Sequence, residues 1–210
     1  MGYFYYRWTD NKTEILFATF RMCVQLILIG YVLTSLFSTN SMLLLTLLVS
    51  IMIIASSLIA RRHIRHKDIK TYFTILVAIM VGGSINLFLI LFCVLDLENH
   101  FDPRVVIPLA GMLYANSMNA ISLAAERFDK ESLTHDYEKA RAIAFKTSMI
   151  PQINSFLAVG FVSLPGMMTG QILSGVDPMV AVRYQIVVMA MVLGSGGMSN
   201  IIYLLSLRNK

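Results

Sequence analysis

Residues 159–175 read Val159-Gly-Phe-Val-Ser-Leu-Pro-Gly-Met-Met-Thr-Gly-Gln-Ile-Leu-Ser-Gly175. The segment is apolar enough to lie in a bilayer, yet it contains four glycines, one proline and one glutamine. Glycine lets a neighbouring backbone approach closely, and Pro165 kinks or breaks a helix because it removes a hydrogen bond. Irregular backbone at membrane depth is tolerated only where protein or water covers it. The segment is therefore either a kinked packing helix or the lining of a transport pathway.

The composition is that of a membrane protein. Apolar residues make up 57% of the 210 positions and charged residues 14%, whereas a soluble domain has about 25% charged residues. Six segments reach the roughly 20 residues that span a bilayer. The sequence thus predicts an all-α, multi-pass membrane protein with about six transmembrane helices and a single transmembrane domain over residues 1–210. Its predicted spans are residues 15–37, 42–60, 72–95, 105–125, 153–172 and 180–207.

The basic residues predict the orientation. Lysine and arginine concentrate in the termini, in the loop over residues 61–67 and in the loop between the fourth and fifth spans. Cytoplasmic loops carry such an excess, so we predict that both termini are cytoplasmic. The formal charge of +5 then reflects topology rather than binding to nucleic acid.

Residues 126–150 form the chain's extended polar insertion, on the predicted cytoplasmic side. Leu133, Tyr137, Ala140 and Ala144 are spaced by four, three and four residues, which places them on one face of an amphipathic helix. Such a helix is either a solvated loop helix or a docking helix for a cytoplasmic partner. The predicted docking surface comprises Glu126, Tyr137, Ala140, Arg141 and Ala144.

Five strings of the chain are distinctive: Ile150-Pro-Gln-Ile-Asn-Ser155, Val162-Ser-Leu-Pro-Gly-Met-Met-Thr-Gly-Gln-Ile-Leu-Ser-Gly-Val-Asp-Pro178, Ala181-Val-Arg-Tyr-Gln-Ile-Val-Val-Met189, Arg21-Met-Cys-Val-Gln-Leu-Ile-Leu-Ile-Gly30 and Gly111-Met-Leu-Tyr-Ala-Asn-Ser-Met-Asn-Ala120. They resemble the FetB-type (YbbM-like) ABC transporter permeases. The resemblance covers most of the chain, from about Arg21 to about Met189. Family members usually carry another apolar segment before the position of Arg21, whereas twenty residues precede it here. Ala115 stands where glycine is common, and the insertion lacks the family's Leu-Gly-Ala turn.

The resemblance implies the membrane subunit of a bacterial exporter linked to iron homeostasis. It implies a homodimer in the cell (inner) membrane and a separate cytoplasmic ABC ATPase that binds ATP. The insertion is then the coupling helix on which that ATPase docks, and the permease itself holds no cofactor. Plant relatives are associated with aluminium tolerance, so the family does not fix the substrate.

Polar groups within the spans are the candidate pathway residues, because an unpaired buried polar group costs about 1–3 kcal/mol. Arg21 can instead snorkel to the interface, and the amides can instead hold helices together. The two methionines in the set are either flexible packing or thioether contacts for a soft metal ion. The predicted pathway comprises Arg21, Gln25, Asn116, Asn119, Pro165, Met167, Met168 and Gln171.

The sequence gives less support to other classes of protein, such as metal-binding proteins and enzymes. The histidines fall in loops and no carboxylate lies within a span, so no resident metal site is predicted. The sequence lacks a Gly-x-x-x-x-Gly-Lys-Ser/Thr loop, so the chain is not itself an ATPase. Gly194-Ser195-Gly196 lacks a histidine base within the spans, and no catalytic residue is predicted. A secondary transporter, a channel-like protein and a membrane scaffold remain alternatives.

Overall fold

The computed structural model describes residues 14–39, 41–64, 68–95 and 99–209. Residues 65–67 of the basic loop lie outside the described ranges. A π-helical turn over Ile90–Val94 prolongs the third helix, and short 3-10 turns occupy Arg61–His63 and Leu207–Asn209. The all-α prediction is confirmed. The described α-helices are α1 (Glu14–Thr39), α2 (Met42–Ala60), α3 (Ile69–Leu89), α4 (Pro103–Glu131), α5 (Tyr137–Ala158), α6 (Gly166–Leu173) and α7 (Pro178–Ser206).

Aspartate caps determine where three of the long helices begin. Asp102 accepts a hydrogen bond from the Arg104 backbone N–H at 2.9 Å, at the start of α4. Asp136 and Asp177 accept equivalent bonds at the starts of α5 and α7. A side-chain oxygen at this position satisfies an N–H group that has no partner within the helix. The local sequence therefore fixes these three helix starts.

Five of the described helices are long and apolar enough to cross a membrane: α1, α2, α3 with its π turn, α4 and α7. Residues 153–172, predicted as a further span, do not form one helix. The helix α5 ends at Ala158 and α6 begins at Gly166. Between them the Gly160 N–H donates to the Ser163 carbonyl at 3.0 Å, and Gly160 has φ +89°, which favours glycine. The predicted break is present, and Pro165 directly precedes α6.

The chain divides into two compact units, Met1–Leu45 and Thr46–Lys210. The described helix of the first unit is α1, which is apolar and exposes Leu16, Phe17 and Phe20. Exposed apolar surface of this extent is unfavourable in water. It is suited to contact with lipid.

In the second unit α3, α4 and α7 pack closely through small residues. A Cβ at Gly82 of α3 would lie 2.8 Å from the Ser199 backbone N of α7. A Cβ at Gly83 would lie 2.5 Å from the Tyr114 ring of α4. The Ser199 hydroxyl donates to the Ser117 hydroxyl at 3.0 Å. Small residues of this kind let helices approach closely in membrane proteins.

The insertion at 126–150 is helical, but it differs from the predicted amphipathic helix. Its first residues prolong α4, residues 132–136 form a turn, and the rest belongs to α5. Leu133 lies in the turn and is 72% exposed, so it does not share a face with Tyr137, Ala140 and Ala144. Ala140 and Ala144 are each 0% exposed. They pack inside the second unit and are not available to a partner, which corrects that part of the predicted docking surface.

Candidate functional site

A pair of amides links α4 and α5. The Gln152 Nε2 donates to Asn116 Oδ1 at 3.1 Å. Gln152 is 5% exposed, and its own Oε1 is buried without a hydrogen-bond partner among the described residues. One buried acceptor is therefore left unpaired by the described residues, which is unfavourable for an isolated polar group.

A second buried polar cluster lies where α5 meets α7. The Asn200 Nδ2 donates to the Ser148 hydroxyl at 2.8 Å, and both side chains are fully buried. The Asn200 Oδ1 has no hydrogen-bond partner within the described ranges. Together with the Asn116–Gln152 pair, this cluster puts uncharged polar groups into the interior of the helix bundle.

Three cavities follow one another along the surface made by α4, α5 and α7. The break cleft, beneath the break between α5 and α6, has a volume of about 350 Å³. The amide cavity has about 140 Å³ and the Glu126 cavity about 380 Å³. The break cleft is lined by Phe156, Val159, Gly160, Leu164, Met168, Val182, Gln185, Ile186, Met189 and Ala190. The amide cavity is lined by Asn116, Asn119, Leu123, Pro151, Gln152, Ser155, Phe156, Met189 and Val192. The Glu126 cavity is lined by Ile59, Met118, Asn119, Ser122, Leu123, Glu126 and Pro151.

Shared residues join these cavities into one series. Phe156 and Met189 line both the break cleft and the amide cavity. Asn119, Leu123 and Pro151 line both the amide cavity and the Glu126 cavity. Two residues are thus common to the first pair of cavities and three to the second pair.

The lining is almost uncharged. Glu126 is the one ionisable residue among the described residues that line the three cavities, and it forms an ion pair with Lys130 at 2.8 Å. Across the described ranges, no cluster of three or more His, Cys, Asp or Glu side chains is suited to hold a metal ion. The polar groups of the lining are therefore mainly uncharged amides and hydroxyls in an apolar surface.

The structure brings some of the predicted pathway residues together. Asn116 and Asn119 line the amide cavity, and Met168 lines the break cleft. Met167 and Gln171 lie on α6, half-buried, outside the linings of the three cavities. Pro165 directly precedes α6 and lines none of them.

Arg21 and Gln25 lie on α1 in the first unit, where both side chains are exposed. The residues that sequence reasoning missed are Gln152, Ser155, Phe156, Gln185 and Met189. Of these, Gln152 and Gln185 carry a detectable signal, because each is an amide within an otherwise apolar helical segment.

At the predicted cytoplasmic end, Tyr137 has a structural role. Its hydroxyl donates to the Leu204 carbonyl at 2.9 Å, and the Arg141 guanidinium lies 5.3 Å from the centre of its ring. In the neighbouring turn Glu131 pairs with Arg127 at 2.7 Å and with His135 at 3.1 Å. The turn over residues 132–136 carries the exposed Leu133, and Glu126 of α4 is also exposed.

Comparison with known proteins places this architecture among membrane permeases. The profile of the family described as "Uncharacterised protein family (UPF0014)" matches residues 2–210. The chain is 34% identical to the "Probable iron export permease protein FetB" of Escherichia coli, over 91% of this chain and 78% of that protein. It is 32% identical to a UPF0014 membrane protein of Synechocystis, over 90% of this chain and 79% of that protein. It is also 32% identical to the Arabidopsis thaliana "Protein ALUMINUM SENSITIVE 3", over 90% of this chain and 73% of that protein. No solved structure matches the chain.

Proposed function

Because the chain belongs to the UPF0014 family of membrane proteins, we propose that it is the membrane subunit of an ABC exporter. It is a multi-pass membrane permease. In the proposed assembly a separate cytoplasmic ATPase binds ATP and drives transport. The permease works as a homodimer in the cell (inner) membrane, and its cargo is iron or another metal-related substrate.

The series of three cavities carries the proposal. A helix bundle that served only as an anchor would fill this surface with side chains, because protein interiors are packed with few voids. Here the cavities run from the break cleft past Asn116 and Gln152 to Glu126. On α4, Asn116 and Glu126 are ten residues apart, about 15 Å of helix. The series therefore extends over a large part of the bilayer's roughly 30 Å hydrocarbon core.

The shape of these cavities supports the proposed homodimer. Each one is about half enclosed and opens along the surface of α4, α5 and α7. A path for a polar cargo must be shielded from lipid, because polar groups are unfavourable in hydrocarbon. A second copy of the chain that faces the first would close the series.

The cargo and the energy source are proposed from the relatives and the sequence. The Escherichia coli relative is named a probable iron export permease, and the plant relative is named for aluminium sensitivity. The sequence has no P-loop motif, so ATP hydrolysis is assigned to a partner. We place its docking site at the turn over residues 132–136, where Leu133 offers an exposed apolar group between two long helices.

We predict that Leu133→Asp disrupts ATPase docking. An exposed apolar anchor at the centre of an interface typically carries a large share of the binding energy, so its loss should reduce the co-purified ATPase by roughly tenfold or more. The measurement is affinity purification from native membranes, with the P-loop protein identified by mass spectrometry and Mg-ATP hydrolysis assayed in the eluate.

Val176→Asp is the matched control, because Val176 is an exposed apolar residue in the turn before α7, at the other end of the bundle. It should leave the co-purified ATPase unchanged. Equal recovery of ATPase with Leu133→Asp and with the unmodified chain would contradict the proposed docking site.

A further inference from the structure

The exposed face of α4 differs from that of a helix surrounded by lipid. The outer face of α3 presents bulky apolar side chains, such as Phe73 and Val77. Near the middle of α4 the exposed residues are instead Ala115 and Asn119. Leu123 is the one large apolar residue that α4 exposes along its length. The exposed face of α4 therefore lacks the apolar cover that contact with lipid favours.

The exposed Asn119 lies deep in the membrane. It is four residues from the midpoint of the predicted span at residues 105–125, which corresponds to about 6 Å along the helix axis. Half of the hydrocarbon core is roughly 15 Å thick. The Asn119 amide is thus placed well inside the region where lipid offers no polar groups.

Two further polar residues are exposed at a similar depth on α5. They are Asn154 and Ser155, which closely follow Gln152, the residue that is hydrogen-bonded to Asn116 of α4. We call Asn119, Asn154 and Ser155 the polar patch. Neither asparagine side chain of this patch is hydrogen-bonded within the described ranges.

The chemistry of the polar patch defines what can cover it. Lipid chains cannot, because polar groups in hydrocarbon must find protein or water partners. A protein partner has to supply both donors and acceptors and needs no charge, since the patch has none. A side-chain amide is itself both donor and acceptor, so the patch is complementary to a second copy of itself. Two copies inserted with the same orientation are related by an axis along the membrane normal, and a two-fold axis brings identical surfaces together.

We propose that the homodimer forms through the exposed face of α4, where the Asn119 amides of the two copies are hydrogen-bonded to each other. The existence of the homodimer rests on the proposed function, and this inference assigns its contact surface. Hydrogen bonds between amides link transmembrane helices, and a small residue such as Ala115 lets the helices approach closely. The same contact covers the side of the amide cavity that Asn119 lines.

Disulfide cross-linking tests the contact. Cys23 and Cys93, the chain's two cysteines, are replaced by alanine, and Ala115→Cys is introduced one turn from Asn119. Val77→Cys is the matched control, because Val77 is exposed near the middle of α3. Native membranes are oxidised with copper phenanthroline, and dimers are identified by non-reducing electrophoresis and mass spectrometry. We expect Ala115→Cys to give at least about fivefold more disulfide-linked dimer, because a disulfide requires close and correctly oriented Cα atoms.

A second pair of variants tests the amide itself. Asn119→Leu removes the hydrogen-bonding groups at similar size, and it should fold because the side chain is exposed. We expect it to raise the dimer dissociation constant in lipid vesicles by about three- to tenfold, the effect of one or two interhelical hydrogen bonds. Asn119→Gln keeps the amide and should dimerise as the unmodified chain does. The measurement is single-molecule energy transfer over a series of protein-to-lipid ratios.

Four results would overturn the proposal. Equal cross-linking of Ala115→Cys and Val77→Cys would mean random collision. An Ala115→Cys thiol that gives no dimer but reacts with a water-soluble maleimide would mean that this face lines a water-filled space. A thiol that does neither would mean that lipid or another protein covers it. An unchanged dissociation constant for Asn119→Leu would mean that the amide does not hold the dimer.

Lysine-reactive cross-linking of the unmodified chain separates this failure from a failure of the proposed function. If it yields dimers while Ala115→Cys does not, the contact lies on another face and the exporter assignment stands. If it yields no dimer either, the homodimer of the proposed function is wrong as well.

Discussion

Ala144→Asp is expected to abolish folded protein. Ala144 is 0% exposed on the face of α5 that packs within the second unit, so the substitution buries an unpaired carboxylate. An uncompensated buried charge costs about 3–5 kcal/mol or more, a large part of the 5–15 kcal/mol that typically stabilises a fold. The measurement is the yield of monodisperse protein on size-exclusion chromatography, followed by its thermal unfolding.

Ala142→Asp provides the control, because Ala142 lies on the exposed face of the same helix. It should give normal yield and thermal stability. If the Ala144→Asp variant folds normally but no longer co-purifies with the ATPase, the burial of Ala144 described here is contradicted. That result would support the docking role that the sequence predicted for the face formed by Tyr137, Ala140 and Ala144.

Phe156→Trp is expected to block transport while the protein still folds. Phe156 lines both the break cleft and the amide cavity, and we expect the larger indole to narrow any passage between them. We expect ATP-dependent iron uptake into inside-out vesicles to fall by at least about tenfold, equivalent to ~1.4 kcal/mol in the barrier. ATPase co-purification should be unchanged, because the docking turn lies at the far end of α5.

Leu157→Trp places the same indole one residue further along α5, where the side chain is 75% exposed. An exposed side chain has room for the larger ring and lines none of the three cavities, so this control should transport normally. If Phe156→Trp and Leu157→Trp transport equally well, the cargo does not pass between the break cleft and the amide cavity.

Hydrophobic segment length predicted most of the fold. The predicted span at residues 42–60 coincides with α2, and the other four spanning helices were placed to within a few residues except at the C-terminal end of α4. Apolar runs of this length have few alternatives to a helix in lipid, because each backbone group must be paired. The exception is residues 153–172. The glycines and Pro165 of this segment predicted a break, but hydropathy did not show that the helix before the break ends at Ala158.

The insertion shows how spacing alone can mislead. The positions 133, 137, 140 and 144 fit helical periodicity, yet Leu133 lies in a turn. The remaining three positions do share a face, but that face is buried by the chain itself. Periodicity identifies an apolar face and does not identify what covers it.

The candidate site could be predicted only in part. Asn116 and Asn119 were selected because amides within a span are unusual, and both line the amide cavity. Gln152 and Gln185 were not selected, because their importance comes from tertiary packing. Gln152 matters because Asn116 of another helix lies opposite it. Gln185 matters because the break between α5 and α6 leaves a cleft beside it. Neither relation can be read from one segment of sequence.

The most direct test of the permease proposal is whether ATP hydrolysis drives transport through this chain. Inside-out vesicles containing the chain and its co-purified ATPase are supplied with iron, with either Mg-ATP or a non-hydrolysable analogue. We predict that Mg-ATP produces iron accumulation, that the analogue does not, and that vesicles lacking the chain accumulate none. Accumulation that is unaffected by ATP but follows an imposed proton or sodium gradient would contradict the ABC exporter and identify a secondary transporter.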